Sequence, residues 1–201
     1  MTSHTAVTEG VALLERAMSY ALGVLSRVGP EHMGSSTPCR SWDLRDLLLH
    51  VDDSLAALGE AVDGGATNAT GGKAGAVATP GGTVTAVRER ACTLLGTLSA
   101  PERSTYAVVG DQPVSSGLVA VTGAVEVAVH GWDVARTCGV DHPVPVALSE
   151  ELCEFVPSLV SRADRVTRFA PPVELPPGAD PCARLVAFLG RNPSWPDRAR
   201  R

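Results

Sequence analysis

Apolar residues recur at intervals of three and four through most of this 201-residue chain, and that rhythm divides it into amphipathic helices. From about Thr5 to Val28, the positions Val7, Val11, Leu14, Met18, Leu22, Leu25 and Val28 form one stripe, which Gly29-Pro30 ends. A second stripe is Leu44, Leu47, Leu48, Val51, Leu55, Leu58 and Val62. Its helix is expected to start at Ser41 as N-cap, with Asp43 in the first turn favouring the helix dipole. A third helix, Thr83 to Leu98, turns Val84, Val87, Ala91, Leu94, Leu95 and Leu98 inward. The fourth, about Ser116 to Thr137, stops at Gly139. Beyond it, Leu148 to Phe169 reads as helix interrupted at Pro157, and a last short helix covers Pro181 to Leu189.

The stretches without this period complete the outline. Asp63 to Gly82 is rich in Gly, Ala and Thr and is expected to be a long mobile connection, long enough to cross to a non-adjacent corner of a bundle. Tyr106 to Val109 reads as a short extended piece before a turn at Gly110-Asp111-Gln112-Pro113. The expected fold is all-α: a four-helix bundle with one long crossover, forming a single domain over residues 1–201, with 171–201 as a short C-terminal helical extension.

Composition narrows the partners. With 44% hydrophobic residues but only eight aromatics, the core must be built from Leu, Val and Ala. A net charge of −5 without Lys/Arg clusters argues against nucleic acid or an anionic membrane, and Arg162, Arg165 and Arg168 are interleaved with Asp164 and apolar residues. Glu9, Glu15 and Arg16 interrupt any secretory h-region, and no apolar run reads as long enough to span a bilayer. Five scattered cysteines without a Cys-x-x-Cys speak against a disulfide framework or a thiolate zinc site, so a reducing cytoplasm is the expected setting.

The chemistry concentrates in Glu126-Val-Ala-Val-His130-Gly-Trp-Asp133. Four residues turn a helix through about 400°, so Glu126 and His130 project from nearly one line, roughly 6 Å apart. A carboxylate and an imidazole so placed make half of a divalent-metal site, although most such pairs are solvated surface contacts. Here the neighbours Val121, Val125, Ala128, Val129, Trp132 and Ala135 are apolar, and a buried Glu and His need a partner charge. Among the other histidines, His4, His32 and His142 fall in the N-terminus, a loop and a turn, which leaves His50 as the second mid-helix imidazole. It borders the Leu47/Val51 stripe, where a lone histidine is ordinarily a core-edge residue bonded to a carboxylate. Taken with Glu126 and His130 it completes a His/Glu/His set, leaving a divalent ion about +1 net charge and an open position.

Three blocks carry a family resemblance: Thr37-Pro-Cys-Arg-Ser-Trp-Asp43 with Leu47-Leu-Leu-His50, Glu126-x-x-x-His130-Gly-Trp-Asp133-x-Ala135, and Leu185-Val-Ala-Phe-Leu-Gly-Arg191-Asn-Pro-Ser-Trp195. They resemble the DinB-like metal-binding superfamily, in particular its actinobacterial branch related to the N-terminal domain of mycothiol-dependent maleylpyruvate isomerase. The resemblance implies a four-helix bundle holding one divalent metal, usually zinc, through His50, Glu126 and His130, the set that spacing also assembles. It further implies a transferase or isomerase using a low-molecular-weight thiol such as mycothiol with a small-molecule electrophile. Unlike the isomerase, the chain has no sizeable C-terminal domain after the bundle, so the expectation is thiol-dependent chemistry in general rather than that one reaction.

Other residues divide between roles. Asp133 either orients a ligand imidazole or approaches the metal, or pairs with an arginine such as Arg136. Trp42 and Trp132 serve as packing anchors or pocket wall, and Cys39 reads as a small buried residue rather than a nucleophile. Arg191 could meet a bound thiol only if the tail folds back over the bundle. Two further functions compete with the thiol enzyme. One is a thiol-independent biosynthetic enzyme using the metal as Lewis acid; the other is a non-catalytic metal-binding regulatory module. A fourth protein ligand, from Asp133 or a cysteine, would favour the module.

Overall fold

The computed structural model describes residues 3–39, 41–62, 80–100, 104–109 and 112–196. The described chain is mostly helical. Helices α1 (Ser3–Leu25), α2 (Leu44–Val62), α3 (Pro80–Ser99) and α4 (Ser116–Thr137) are the long ones, followed by α5 (Val146–Leu159), the single-turn α6 (Asp164–Thr167) and α7 (Pro181–Phe188). A ribbon of β1 (Tyr106–Val109) and β2 (Gln112–Ser115) pairs antiparallel ahead of α4, with Ala107 opposite Val114. The all-α expectation therefore misses a small sheet, and Gln112 and Pro113 belong to β2 rather than to the turn; residues 110 and 111 lie outside the described part.

The four long helices close a ring of contacts, α1 on α4, α4 on α2, α2 on α3 and α3 on α1. The stripes face into it: Val7, Val11, Leu14, Met18 and Leu25 are buried on α1, Leu44, Leu47, Leu48, Val51, Leu55 and Val62 on α2, and Val87, Ala91, Leu94 and Leu98 on α3. Burial of each of these Val, Leu and Met side chains stabilises by about 1.5–3 kcal/mol. Contact between α1 and α4 is backbone-close, because a Cβ on Gly117 would meet the Ala6 carbonyl oxygen at 2.7 Å. With α5 also against it, and α7 packed on α5, α4 is buried on nearly every side. By length and composition α4 is apolar enough to cross a membrane, contrary to the expectation, but 78% of its most apolar window is buried inside the fold. A helix that is apolar all round is what a core helix requires.

Helix ends differ from the periodic reading for local reasons. α1 stops at Leu25, after which Arg27 and Val28 donate back to Val24 and Leu25 in a tighter turn. α2 begins at Leu44, not Ser41. Ser41 has φ 75°, and the cap is Asp43, whose Oδ1 accepts from Asp46 N at 2.9 Å. Thr37 secures this entry loop by donating to the carbonyls of Cys39 and Trp42. α3 opens at Pro80, a residue whose fixed φ suits a first helical position, so 80–82 leave the predicted connection for the helix. The rest of that connection, 63–79, lies outside the described residues. α5 continues through Pro157 for only two residues before Val160 leaves the helical region.

Candidate metal centre

α2 and α4 pack side by side and bring His50 against the Glu126/His130 pair. Glu126 Oε1 lies 2.9 Å from His50 Nε2 and 3.4 Å from His130 Nε2. The ligand atoms of the three residues all fall within 4.8 Å of one another. Tetrahedral bonds of about 2.0–2.1 Å would space ligand atoms by about 3.3 Å, so this set fits a divalent ion with small side-chain adjustments. Exposure is graded. The side chains of His50 and Glu126 are 37% and 26% accessible and that of His130 6%, so the centre opens toward solvent on the α2 side.

Neighbours fix the three residues. Ser54, one turn after His50 on α2, donates to Glu126 Oε1 at 2.9 Å. The Trp42 ring lies 4.5 Å from that of His50 and 6.5 Å from that of His130, making it wall rather than remote packing. Trp132, by contrast, is a buried anchor with the Arg136 guanidinium over its ring. Asp133 is fully buried, and its Oδ2 lies 2.9 Å from His130 Nδ1. A carboxylate oxygen accepts, so Nδ1 donates and Nε2 is the nitrogen left facing His50 and Glu126.

The arginine paired with Asp133 is Arg191, at 3.1 Å, not Arg136, which donates to the Trp195 carbonyl. Spacing along one helix cannot reveal that partner, because it comes from the segment after α7. Ser54 was within reach of the i,i+4 rule applied to His50.

The metal-free electrostatics are those of a proton held between anions. Burial alone would push the Glu126 carboxyl up, yet the charge and hydrogen bonds of His130 and His50 hold it well below the usual range. Burial likewise works against a charged His130, but Glu126 and Asp133 raise it to about 9. Arg191 keeps its charge despite burial because Asp133 and its neighbours favour it.

The remaining candidates stand apart. His32 Nδ1 accepts from Gly29 N, His142 stacks on Tyr20, and the side chain of His4 lies outside the described part. The Cys39 thiol is pushed up by burial, against the lowering effect of Arg191, which makes it a poor nucleophile. Among the described residues no further His, Cys, Asp or Glu joins the three-residue group; Asp133 meets the His130 ring from behind instead.

A family model described as mycothiol maleylpyruvate isomerase N-terminal domain matches residues 14–135, more than half of the chain. No curated protein and no solved structure matches. The matched span holds His50, Glu126, His130 and Asp133, and ends before Arg191.

Proposed function

The chain belongs to the mycothiol maleylpyruvate isomerase N-terminal domain family, and we propose that it is a metal-dependent enzyme of the thiol-dependent transferase or isomerase type, built on a DinB-like helical bundle. One observation carries the reading: the ligand atoms of His50, Glu126 and His130 converge within 4.8 Å, with Asp133 committed to the far edge of the His130 ring. Three protein ligands suit a catalytic site, whereas a structural site is normally closed by four. The non-catalytic module is correspondingly less well supported.

When bound, a divalent ion, zinc by choice of His and carboxylate donors, supplies Lewis acidity that lowers the pKa of a thiol in the remaining position. The protein's part is to set its charge and access. Arg191 cancels the Asp133 carboxylate, so only Glu126 offsets the ion, leaving a net charge of about +1 at the centre. Ser54 and Asp133 hold Glu126 and His130 in place, which spares reorganisation as a reactant arrives. Trp42 walls the accessible side beside His50, where an electrophile would lie. In this scheme the thiol gives up its proton to solvent and its sulfur bonds to an electrophilic carbon. Either a displaced group leaves with its bonding pair, or the π pair shifts to the neighbouring atom, which takes a proton back and, in an isomerisation, loses it again as the sulfur is expelled. All five cysteines are unpaired, in keeping with a reducing cytoplasm where such a thiol is abundant.

The test is turnover of conjugation or isomerisation substrates with and without mycothiol, comparing wild type with Glu126→Gln. The proposal expects rates that depend on the thiol and collapse in Glu126→Gln. Equal rates without any thiol would remove the transferase reading and leave the Lewis-acid enzyme.

A further inference from the structure

The segment after α7 reaches the metal centre through one side chain. α7 ends in a reverse turn in which Arg191 N donates to Val186 O at 2.9 Å and Gly190 N to Ala187 O at 3.0 Å. This pair of bonds requires a left-handed residue, and Gly190 supplies it at φ 83°. A Cβ there would also meet the Ala170 carbonyl oxygen at 2.6 Å, so glycine alone suits both the backbone and the space. The turn sends Arg191 inward until it is 7% exposed. Its Nη1 donates to Leu189 O at 3.0 Å, and its Nη2 reaches Asp133 Oδ2 at 3.1 Å. That oxygen is the one that accepts from His130 Nδ1 at 2.9 Å.

We propose that Arg191 is a positioning residue for the metal centre: by fixing the Asp133 carboxylate it holds the His130 ring with Nε2 turned toward His50 and Glu126. This rests on the reading of those three residues as the metal-holding set, and it extends the site beyond the matched span 14–135. The geometry makes the contact sensitive. Among the described residues Asp133 Oδ1 and Arg191 Nε have no partner, so the pair meets through Oδ2 and Nη2 alone and not through a two-pronged fork. Without the guanidinium, Asp133 is a fully buried carboxylate with only the imidazole to balance it. It must turn away to find another partner, which frees the ring. A purely structural ion pair would alter stability and leave the imidazole's binding geometry alone.

Chelator competition measures the zinc dissociation constant of wild type, R191Q, R191K, D133N and the double variant R191Q/D133N, with circular dichroism and melting of each metal-free protein. The expected loss in R191Q is about 10–100-fold, with helical content retained and partial recovery in R191K. In the D133N background, R191Q should add less than about twofold, because Arg191 acts through Asp133. R191Q binding zinc as tightly as wild type, or fully additive losses, would overturn the proposal. A second readout needs no metal. In metal-free wild type labelled with ¹⁵N-histidine, the His130 Nδ1–H should be protected from solvent exchange, and R191Q should release it. An unprotected Nδ1–H in wild type overturns the proposal at Arg191 itself, while failure of wild type to bind metal with that proton protected overturns the metal reading, and with it the role of Arg191 at a metal centre.

Discussion

Asp133 sits three residues after His130 on α4 and places Oδ2 2.9 Å from Nδ1 of its imidazole. The hydrogen bond leaves Nε2 as the nitrogen free for the proposed metal, and it adds to the pull of Glu126 that raises His130 to about 9 in the metal-free protein. Asp133→Asn should therefore move the His130 titration, followed by its ring resonances, downward toward the ordinary histidine value. An unchanged midpoint would show that Asp133 does not act on the ring.

The same group sets the pH dependence of stability. Folding raises His130 above its ordinary 6.5, so its contribution is full below about pH 6.5 and is lost as pH rises through about 9. Glu126 is shifted the other way, and its contribution is lost only as pH falls below the ordinary carboxylate range. Metal-free protein should unfold at lower urea at pH 9.5 than at pH 6. Metal must displace that proton, so calorimetry near neutral pH in buffers of different ionisation enthalpy should show about one proton released per ion bound.

Ser54 isolates the role of a single neutral hydrogen bond. Ser54→Ala removes the 2.9 Å contact to Glu126 Oε1, a bond of the kind that contributes about 0.5–1.5 kcal/mol. Zinc affinity should fall by several-fold, much less than in His130→Ala, with little change in helical content. Loss of all binding in Ser54→Ala would mean that Ser54 is itself needed to hold the ion.

The close crossing of α1 and α4 is a separate test of the fold. In Gly117→Ala the new methyl would press on the backbone of Ala6 and Val7. Overpacking of this kind costs about 1–3 kcal/mol, against about 1 kcal/mol regained in helix propensity. Net destabilisation in urea is expected, and a clear gain in stability would contradict the crossing.

These expectations trace which parts of the molecule were readable beforehand. Helices α1, α2 and α3 were, because each buries one face and writes that face as a stripe; α4, buried on nearly every side, was still read to its boundaries, Ser116–Thr137. The helix starts were less so. Ser41 reads as the cap with Asp43 in the first turn, but the loop tied by Thr37 shifts the start and Asp43 takes the cap instead. His50, Glu126 and His130 were assembled from spacing and from helices that had to pack, and the structure brings them together. Arg191 was visible as a residue after a helix stop, but its role depends on Gly190 turning the chain back, a tertiary event with no local period. Residues 63–79, expected to cross the bundle, lie outside the described part.

The central claim is that His50, Glu126 and His130 together hold one divalent ion, and metal stoichiometry of the purified protein tests it most directly. Wild type, stripped with chelator and reloaded with zinc, should retain about one ion per chain after gel filtration. His130→Ala should retain none while keeping its helical content. Wild type that retains no zinc, manganese, iron, cobalt or nickel, or a His130→Ala variant that retains as much as wild type, would contradict the account.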